Sequence, residues 1–338
     1  MNNMKKTTAT KLSLISYLIT AILLAGCGNG SDLPASFTEA ETRPPLESSI
    51  PGTKQPDSPQ TDSSDKVLRD NTPLCLVPDA PGEKCTQNDV AVIDYSNAGQ
   101  GYVCARYTGD CPKIKLRITG LDEIVYTYDL HPGDYEVFPL TSGDGQYKIT
   151  IYENISGTSY ATCLFDTIDV TLEDEFSPFL YPNQYVNFSE ESKTVQKGAE
   201  LALGAGSDLE VVTRIYNYII SNITYDYDKA SDPPTGYTTD IDSILESGTG
   251  ICLDYSAVMA SMLRSQRIPT RLEVGYAKDA YHAWISVYTK EQGWLNNIIS
   301  FDGSTWTLVD PTFGASTGDK ALKKFIGDGT NYITQKIY

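Results

Sequence analysis

Basic residues and histidines are scarce in this 338-residue chain. Lys and Arg number 26 against 44 Asp and Glu, which gives a formal charge of -18, and only two histidines are present. A surface with this excess of negative charge repels nucleic acid and anionic lipid. We therefore expect no nucleic-acid partner, and any contact with a membrane must come from something other than a basic patch.

Patterns that bind metals are also missing from the sequence. It contains no C-x-x-C pair and no cluster of histidines, which are the usual ligands of structural zinc. It also has no clear loop of alternating acidic residues of the kind that binds calcium. We expect that the protein uses no metal and no cofactor.

The first 26 residues have the features of an export signal. Three lysines up to Lys11 precede an apolar stretch from Leu12 to Leu24, which is too short and too closely followed by a cleavage pattern to be a convincing membrane span. The residues Leu24-Ala25-Gly26-Cys27 resemble the lipobox of bacterial lipoproteins. This resemblance implies cleavage before Cys27 and lipid on its sulfur, with two or more acyl chains anchoring the protein to the membrane. An ordinary secretory signal with an incidental cysteine is the alternative, and both place the mature protein outside the cytoplasm.

Residues 27–70 contain few aromatic or branched apolar side chains and are rich in Ser, Pro, Thr and Asp. Such a segment cannot bury enough apolar area to fold. We predict a disordered tether that gives the folded part of the protein its distance from the membrane.

Five of the seven cysteines are concentrated in residues 71–175. They are Cys75, Cys85, Cys104, Cys111 and Cys163. An exported protein can form disulfides, and Cys75 with Cys85 and Cys104 with Cys111 are the pairs that would close short loops. Spacing does not determine connectivity, and because the number is odd at least one of these cysteines is free or paired elsewhere.

The hydrophobic pattern of residues 71–175 is that of β-strands. Apolar and polar side chains alternate in segments 113–119 and 146–152, and Gly and Asp separate these segments from their neighbours. This alternation indicates half-buried strands. About seven short strands fit an antiparallel sandwich of the immunoglobulin-like type.

Residues 176–338 change to a helical pattern and then return to strands. Ser207-Asp208-Leu209-Glu210 is a capping box that predicts the start of one helix. A second helix is expected to begin close to Cys252 and to end before Arg267. Strands are expected at 271–276, 282–288 and 306–309. Helices followed by strands make this region an α+β domain.

This region offers one thiol and one imidazole, Cys252 and His282. A cysteine nucleophile needs a base, and the partial positive charge at a helix start favours the thiolate. The N–H groups of such a turn can also stabilise an oxyanion. Asp310 ends the strand after that of His282, and if the two strands are neighbours its carboxylate can orient the imidazole. Each of these residues alone is more often structural, so the hypothesis depends on their combination.

Four separated motifs in this region resemble the core of the transglutaminase-like superfamily. They are GTGICLDYSA at 248–257, RIPTR at 267–271 with VGY at 274–276, HAW at 282–284, and VDPT at 309–312. The resemblance implies a papain-like core in which Cys252 is the nucleophile, His282 the base and Asp310 the third member of the triad. It also implies an upstream oxyanion donor, for which Tyr225 is the candidate, although a tyrosine packed at a helix end is an equal alternative.

Two further residues in these motifs have open roles. Asp254 is either a hydrogen-bond partner behind the catalytic residues or a solvated acid in the first turn of the helix. Trp284 is expected in the core or in the wall of a substrate pocket.

The reaction expected from this resemblance is thiol-based acyl transfer on protein or peptide amides, with substrates in the cell envelope. The acceptor is open: an amine gives cross-linking, and water gives a peptidase or deamidase. A binding or scaffold lipoprotein without catalysis is the remaining alternative. The N-terminal strands resemble, more weakly, the β-domain that accompanies such cores in some bacterial surface proteins.

Overall fold

The computed structural model describes residues 69–277, 280–290, 292–295, 300–301, 306–307 and 332–338. The predicted signal segment, Cys27 and almost all of the predicted tether lie outside these residues. In the part of the chain that is described, no helix combines the length and the apolar character that crossing a membrane requires.

The N-terminal region consists of eight strands, all of them paired antiparallel within two sheets. The strands are β1 (Cys85–Gln87), β2 (Ala91–Asp94), β3 (Tyr102–Tyr107), β4 (Ile114–Thr119), β5 (Val125–Leu130), β6 (Glu136–Pro139), β7 (Gly145–Ser156) and β8 (Ser159–Val170). One sheet has the order β1-β2-β3-β6 and the other β5-β4-β7-β8. The sequence predicts about seven short strands, whereas β7 and β8 are each 12 residues long and form one extended hairpin.

The alternating segments of the sequence form the inner faces of these sheets. Ile114, Leu116 and Ile118 on β4 are buried while the residues between them are not, which confirms the strand predicted over 113–119. The two sheets share one apolar core, in which Phe138 of β6 contacts Tyr128 of β5 with ring centroids 5.0 Å apart. The immunoglobulin-like type is a narrower class than two packed antiparallel sheets, so that classification stays a prediction.

The described part of the C-terminal region contains five α-helices: α1 (Lys193–Ala202), α2 (Asp208–Asn222), α3 (Tyr227–Ser231), α4 (Ile241–Ser247) and α5 (Cys252–Ser265). The predicted capping box does begin α2, since the Ser207 hydroxyl accepts a hydrogen bond from the Glu210 N–H at 3.2 Å. The Glu210 carboxylate accepts from the N–H of Gly206 at 2.9 Å. Both contacts satisfy backbone donors near the start of the helix.

The remaining strands are β9 (Thr224–Tyr225), β10 (Thr249–Gly250), β11 (Thr270–Ala277), β12 (Ala280–Thr289), β13 (Gly293–Leu295), β14 (Ser300–Phe301), β15 (Trp306–Thr307) and β16 (Tyr332–Ile337). An antiparallel sheet has the order β13-β12-β11-β16, and β9 pairs with β10 in parallel. The strands predicted at 271–276 and 282–288 are confirmed as β11 and β12, although β12 begins two residues before His282.

Helix α5 is the centre of the C-terminal region. Every residue from Asp254 to Ser265 is buried, because α1, α2 and α4 pack around the helix and β11 and β12 cover it from the sheet. A helix that is enclosed on all sides has no solvent face. Its first residue, Cys252, lies at the edge of this enclosure and is half-buried.

The two regions contact each other directly. The Tyr338 ring, which follows β16, packs edge-on against Tyr126 and Tyr128 of β5, with centroids 5.7 and 5.9 Å away. The Arg69 guanidinium donates to Asp208 at 2.7 Å and to the carbonyl of Gln266 at 2.6 Å. The chain therefore crosses the C-terminal region before it enters the first sheet.

Candidate active site

Cys252 is the first residue of α5, as the sequence predicts. The residue before it, Ile251, is extended (φ -98°, ψ 177°) and occupies the N-cap position. An isoleucine side chain has no acceptor, so the N-cap residue itself does not cap this helix, and the Asp254 side chain instead accepts the Ile251 N–H. In α2, by contrast, Ser207 occupies that position and accepts a backbone N–H. The first N–H groups of α5 are thus left for another acceptor beside the Cys252 thiol.

The Asp254 carboxylate lies directly behind this turn and is fully buried. Its Oδ2 atom accepts from the Ile251 N–H at 2.9 Å and from Lys229 Nζ at 2.8 Å. Its Oδ1 atom accepts from the Tyr237 hydroxyl at 2.7 Å and the Thr239 hydroxyl at 2.8 Å. Burial excludes the role of a solvated surface acid, so Asp254 is a hydrogen-bond partner of the turn before Cys252.

Lys229 remains a cation in this setting. Burial works to lower the pKa of Lys229, but the hydrogen bonds to Asp254 and Tyr237 and the Asp254 charge raise it above its ordinary value. Burial raises the pKa of the Tyr237 phenol, so this group stays protonated and donates. One charged donor and three neutral donors therefore surround this carboxylate.

Sequence reasoning missed Lys229, Tyr237 and Thr239. Lys229 belongs to a five-residue helix without an apolar pattern, and the other two lie in the segment that leads to α4. These residues are 25, 17 and 15 positions from Asp254 in the chain. A weak signal existed, because an acidic residue inside an otherwise apolar helix requires partners when it is buried.

Tyr225 is placed next to the same turn. It pairs with Gly250 where β9 and β10 run side by side, and the Asp226 N–H donates to the Gly250 carbonyl at 2.9 Å. The Tyr225 ring lies 6.4 Å from that of Tyr255 on α5. The residue named from sequence as an oxyanion donor is thus positioned at the start of α5 by a two-residue strand.

His282 lies near the beginning of β12 and is 8% exposed. Its ring stacks at 30° over that of Trp284, with centroids 6.4 Å apart, and Trp284 is fully buried. Burial is the main cause that raises the pKa of Tyr281, the residue before His282. Strand β12 packs against α5, so His282 belongs to an element that contacts the helix of Cys252.

Asp310 lies outside the described residues. The strand expected to carry it begins as β15, and Trp306 and Thr307 pair there with β14. Within the part of the chain that is described, β13 covers only Val287–Thr289 of β12. The edge of β12 beside His282 consequently has no described strand against it.

The six described cysteines are all free thiols, so neither short-loop pair is bonded. Cys85 and Cys104 both lie opposite Asp94, which separates them on the first sheet. Burial raises the pKa of Cys75 to about 11 and that of Cys104, with the help of Asp94, to about 12. Burial also raises the pKa of Cys163. These three thiols are poor nucleophiles at neutral pH.

Residues 196–297 match the family model described as the Transglutaminase-like superfamily. This segment is a transglutaminase-like domain. The match contains Cys252 and His282 together with Tyr225, Asp254 and Trp284, and it ends before Asp310. The predicted resemblance of the C-terminal region and its mixed α/β fold are confirmed.

Two bacterial proteins are similar in sequence to part of this chain. The chain is 31% identical over 118 residues to protein-glutamine gamma-glutamyltransferase of Pseudomonas aeruginosa, covering 30% of this chain and 16% of that protein. It is 28% identical over 103 residues to the uncharacterized protein YebA of Bacillus subtilis, covering 25% of this chain and 14% of that protein. The chain therefore spans only a small fraction of the length of either relative.

Among solved structures, the chain is similar to the periplasmic domain of TgpA from Pseudomonas aeruginosa bound to ethylmercury. The sequence identity is 14% and the TM-score 0.32, with 69% of this chain and 76% of that chain covered.

Proposed function

We propose that the protein is a lipid-anchored, extracytoplasmic enzyme that transfers acyl groups from protein or peptide amides through a thioester at Cys252. The observation that carries this proposal is the position of Cys252 as the first residue of α5, inside a transglutaminase-like segment. The N–H groups at such a helix end can bind the oxyanion that forms when the adjacent thiol attacks a carbonyl.

In the proposed first half-reaction, the Cys252 thiolate attacks the amide carbon and the carbonyl oxygen becomes an oxyanion. The backbone N–H groups at the start of α5 and the Tyr225 hydroxyl donate to that oxygen. The carbon–nitrogen bond then breaks, and His282 in its protonated form gives the leaving nitrogen its proton. The product is a thioester, with Asp310 proposed to orient the imidazole.

In the second half-reaction, His282 removes a proton from the acceptor, which attacks the thioester and returns the thiolate. A lysine amine as acceptor gives a cross-link, and water gives hydrolysis. The Pseudomonas aeruginosa relative is named protein-glutamine gamma-glutamyltransferase. That name supports glutamine side-chain amides as the acyl donors. A cysteine peptidase or deamidase with the same residues is the alternative.

The lipid anchor on Cys27 and the cell-envelope substrates belong to the same proposal. The support is the sequence of the first 27 residues, which combines a basic start, an apolar stretch and a small-residue site before cysteine. A binding or scaffold lipoprotein would share the anchor but would have no need for a reactive thiol.

The first test is alkylation of the full chain with iodoacetamide at neutral pH, followed by peptide mass mapping. Modification is expected first at Cys252 and is lost in Cys252→Ala. The matched control is Cys163→Ala, which removes a half-buried thiol of raised pKa and should leave the rapid modification unchanged. Equal labelling of the parent and the Cys252 variant would remove the basis of the proposal.

The acceptor is identified in the same preparation with casein and a small primary amine. Mass spectrometry distinguishes amine incorporation, conversion of glutamine to glutamate, and chain cleavage, because each product has its own mass. Amine incorporation that requires Cys252 is the expected result. Cleavage alone would assign the enzyme to the peptidases.

A further inference from the structure

We propose that Lys229 and Tyr237 are positioning residues for the Cys252 nucleophile, acting through the buried Asp254 carboxylate. The inference rests on the function proposed above and deepens it. The two residues touch neither the thiol nor a substrate. They determine the conformation and the charge of the turn on which the thiol stands.

The turn before Cys252 is held by a closed ring of hydrogen bonds. The Gly250 carbonyl accepts from the Asp226 N–H at 2.9 Å, and the Asp226 carboxylate accepts from the Lys229 N–H at 2.9 Å. The Lys229 ammonium then donates to Asp254, whose Oδ2 atom also accepts from the Ile251 N–H. Both residues that precede Cys252 are therefore fixed by α3.

The Asp254 carboxylate at the centre of this ring has no vacant hydrogen-bond acceptor site. Each oxygen accepts two hydrogen bonds, Oδ2 from Ile251 and Lys229 and Oδ1 from Tyr237 and Thr239. Two acceptor sites on each oxygen are the full capacity of a carboxylate. A fully satisfied buried network has one low-energy arrangement, which makes the Ile251 backbone rigid at the point where an oxyanion would bind.

Charge is the second contribution of Lys229. An unpaired carboxylate two residues after Cys252 would oppose formation of the thiolate. The Lys229 ammonium, 2.8 Å from Asp254 and 22% exposed, cancels that charge inside the protein. The pair thus retains the hydrogen bonds of a carboxylate without its electrostatic cost to the nucleophile.

The test is the pH dependence of Cys252 alkylation by iodoacetamide in the full chain, measured for Lys229→Met and Asp254→Asn. Lys229→Met leaves an anion beside the thiol, so the midpoint of the alkylation profile should rise by roughly one pH unit. Asp254→Asn leaves a cation, so the midpoint should fall. Damage to the fold alone would move both variants in the same direction.

Other titratable groups lie on the elements around the start of α5 and must stay unchanged for this comparison. They are Tyr225 on β9, Tyr237 before α4, and Tyr281 and His282 on β12.

Lys229→Arg, which keeps the charge, should return the midpoint to that of the parent. Arg69→Met is the matched control, since the Arg69–Asp208 pair lies at the other end of α5.

Tyr237→Phe is the variant with the least effect on folding, because it removes one hydroxyl. It should lower kcat about tenfold and leave KM and the alkylation midpoint close to those of the parent. Shifts of the same sign in Lys229→Met and Asp254→Asn, or no shift in either, would overturn the positioning role. Failure of the parent to be alkylated at Cys252 would instead overturn the proposed function.

Discussion

At the scale of single residues, the hydroxyl of Tyr225 at the start of α5 gives the sharpest prediction about the proposed chemistry. Tyr225 is brought to the start of α5 by its pairing with Gly250. A hydroxyl there can donate to an oxyanion during attack on an amide, but alkylation by iodoacetamide passes through no oxyanion. The two reactions therefore separate the role of the hydroxyl from the role of the ring.

Tyr225→Phe should lower kcat for amine incorporation about 10²-fold and leave both KM and the rate of Cys252 alkylation nearly unchanged. Steady-state kinetics and peptide mass mapping give the three values. Tyr227→Phe is the control, because Tyr227 packs against Tyr225 at 5.0 Å and is 68% exposed. A parallel loss of alkylation would show that the variant disturbs packing and would refute a specific oxyanion contact.

At the scale of secondary-structure elements, Gly250 is the residue that permits α5 to begin where it does. A Cβ atom at this position would lie 2.7 Å from the Asp254 Cβ and 3.1 Å from its Oδ2. The first turn of α5 therefore approaches β10 more closely than any side chain allows. The same approach brings the Ile251 N–H to the carboxylate.

Gly250→Ala should displace Asp254 and destabilise the fold by about 1–3 kcal/mol. Urea unfolding measures this cost, and kcat should fall further than the loss of folded protein explains. Gly206→Ala is the matched control, since a Cβ there has only Glu210 within 4 Å, at 3.7 Å. A Gly250 variant with the stability and activity of the control would contradict the close approach.

At the scale of the whole molecule, Arg264 connects parts of the chain that are far apart in sequence. Its fully buried guanidinium donates to the carbonyls of Thr270, Tyr181 and Tyr338 at 2.8 Å each, with a second bond to Thr270 at 3.1 Å. Burial lowers the pKa of Arg264 to about 9, whereas four hydrogen bonds to carbonyl oxygens favour the charged form. The side chain thus ties α5 to β11, to the segment before α1 and to the end of β16.

Arg264→Met should lower the free energy of unfolding by about 3 kcal/mol, because it removes four charge-assisted hydrogen bonds from three backbone carbonyl groups. Denaturant titration followed by circular dichroism measures the change. Lys193→Met is the control, since Lys193 forms an exposed ion pair with Glu246 and such pairs contribute about 1 kcal/mol or less. Equal effects in the two variants would exclude the connecting role.

The N-terminal region also contacts the loop that leads to the partners of Asp254. A cleft of about 300 Å³ is lined by Lys113, Lys115 and Asp129 from the sheets and by Thr235 and Gly236 from the opposite side. Gly236 has a φ of +71°, and a Cβ there would lie 3.0 Å from Asp129 Oδ2. The next residues of this loop, Tyr237 and Thr239, hold Asp254. The N-terminal region therefore packs against the loop whose residues Tyr237 and Thr239 hold Asp254.

The sequence by itself determined the elements that depend on local pattern. Alternating apolar residues specify β4 because successive side chains of a strand point to opposite faces. Ser207 predicts the start of α2 because its hydroxyl satisfies a donor three residues away. The start of α5 at Cys252 follows from the glycines before it and the three- and four-residue spacing after it. The transglutaminase-like motif around Cys252 is also a pattern of residues that are close together in the sequence, so it can be recognised without the tertiary structure.

Only the tertiary structure decided what surrounds these elements. Lys229, Tyr237 and Thr239 meet at Asp254 because three separate segments fold onto one helix end, and a buried carboxylate is stable only where donors converge. Register also separates two of the free thiols, because it places Asp94 between Cys85 and Cys104. A one-dimensional pattern records which residues are apolar, and it carries no information about which polar groups will share a buried position.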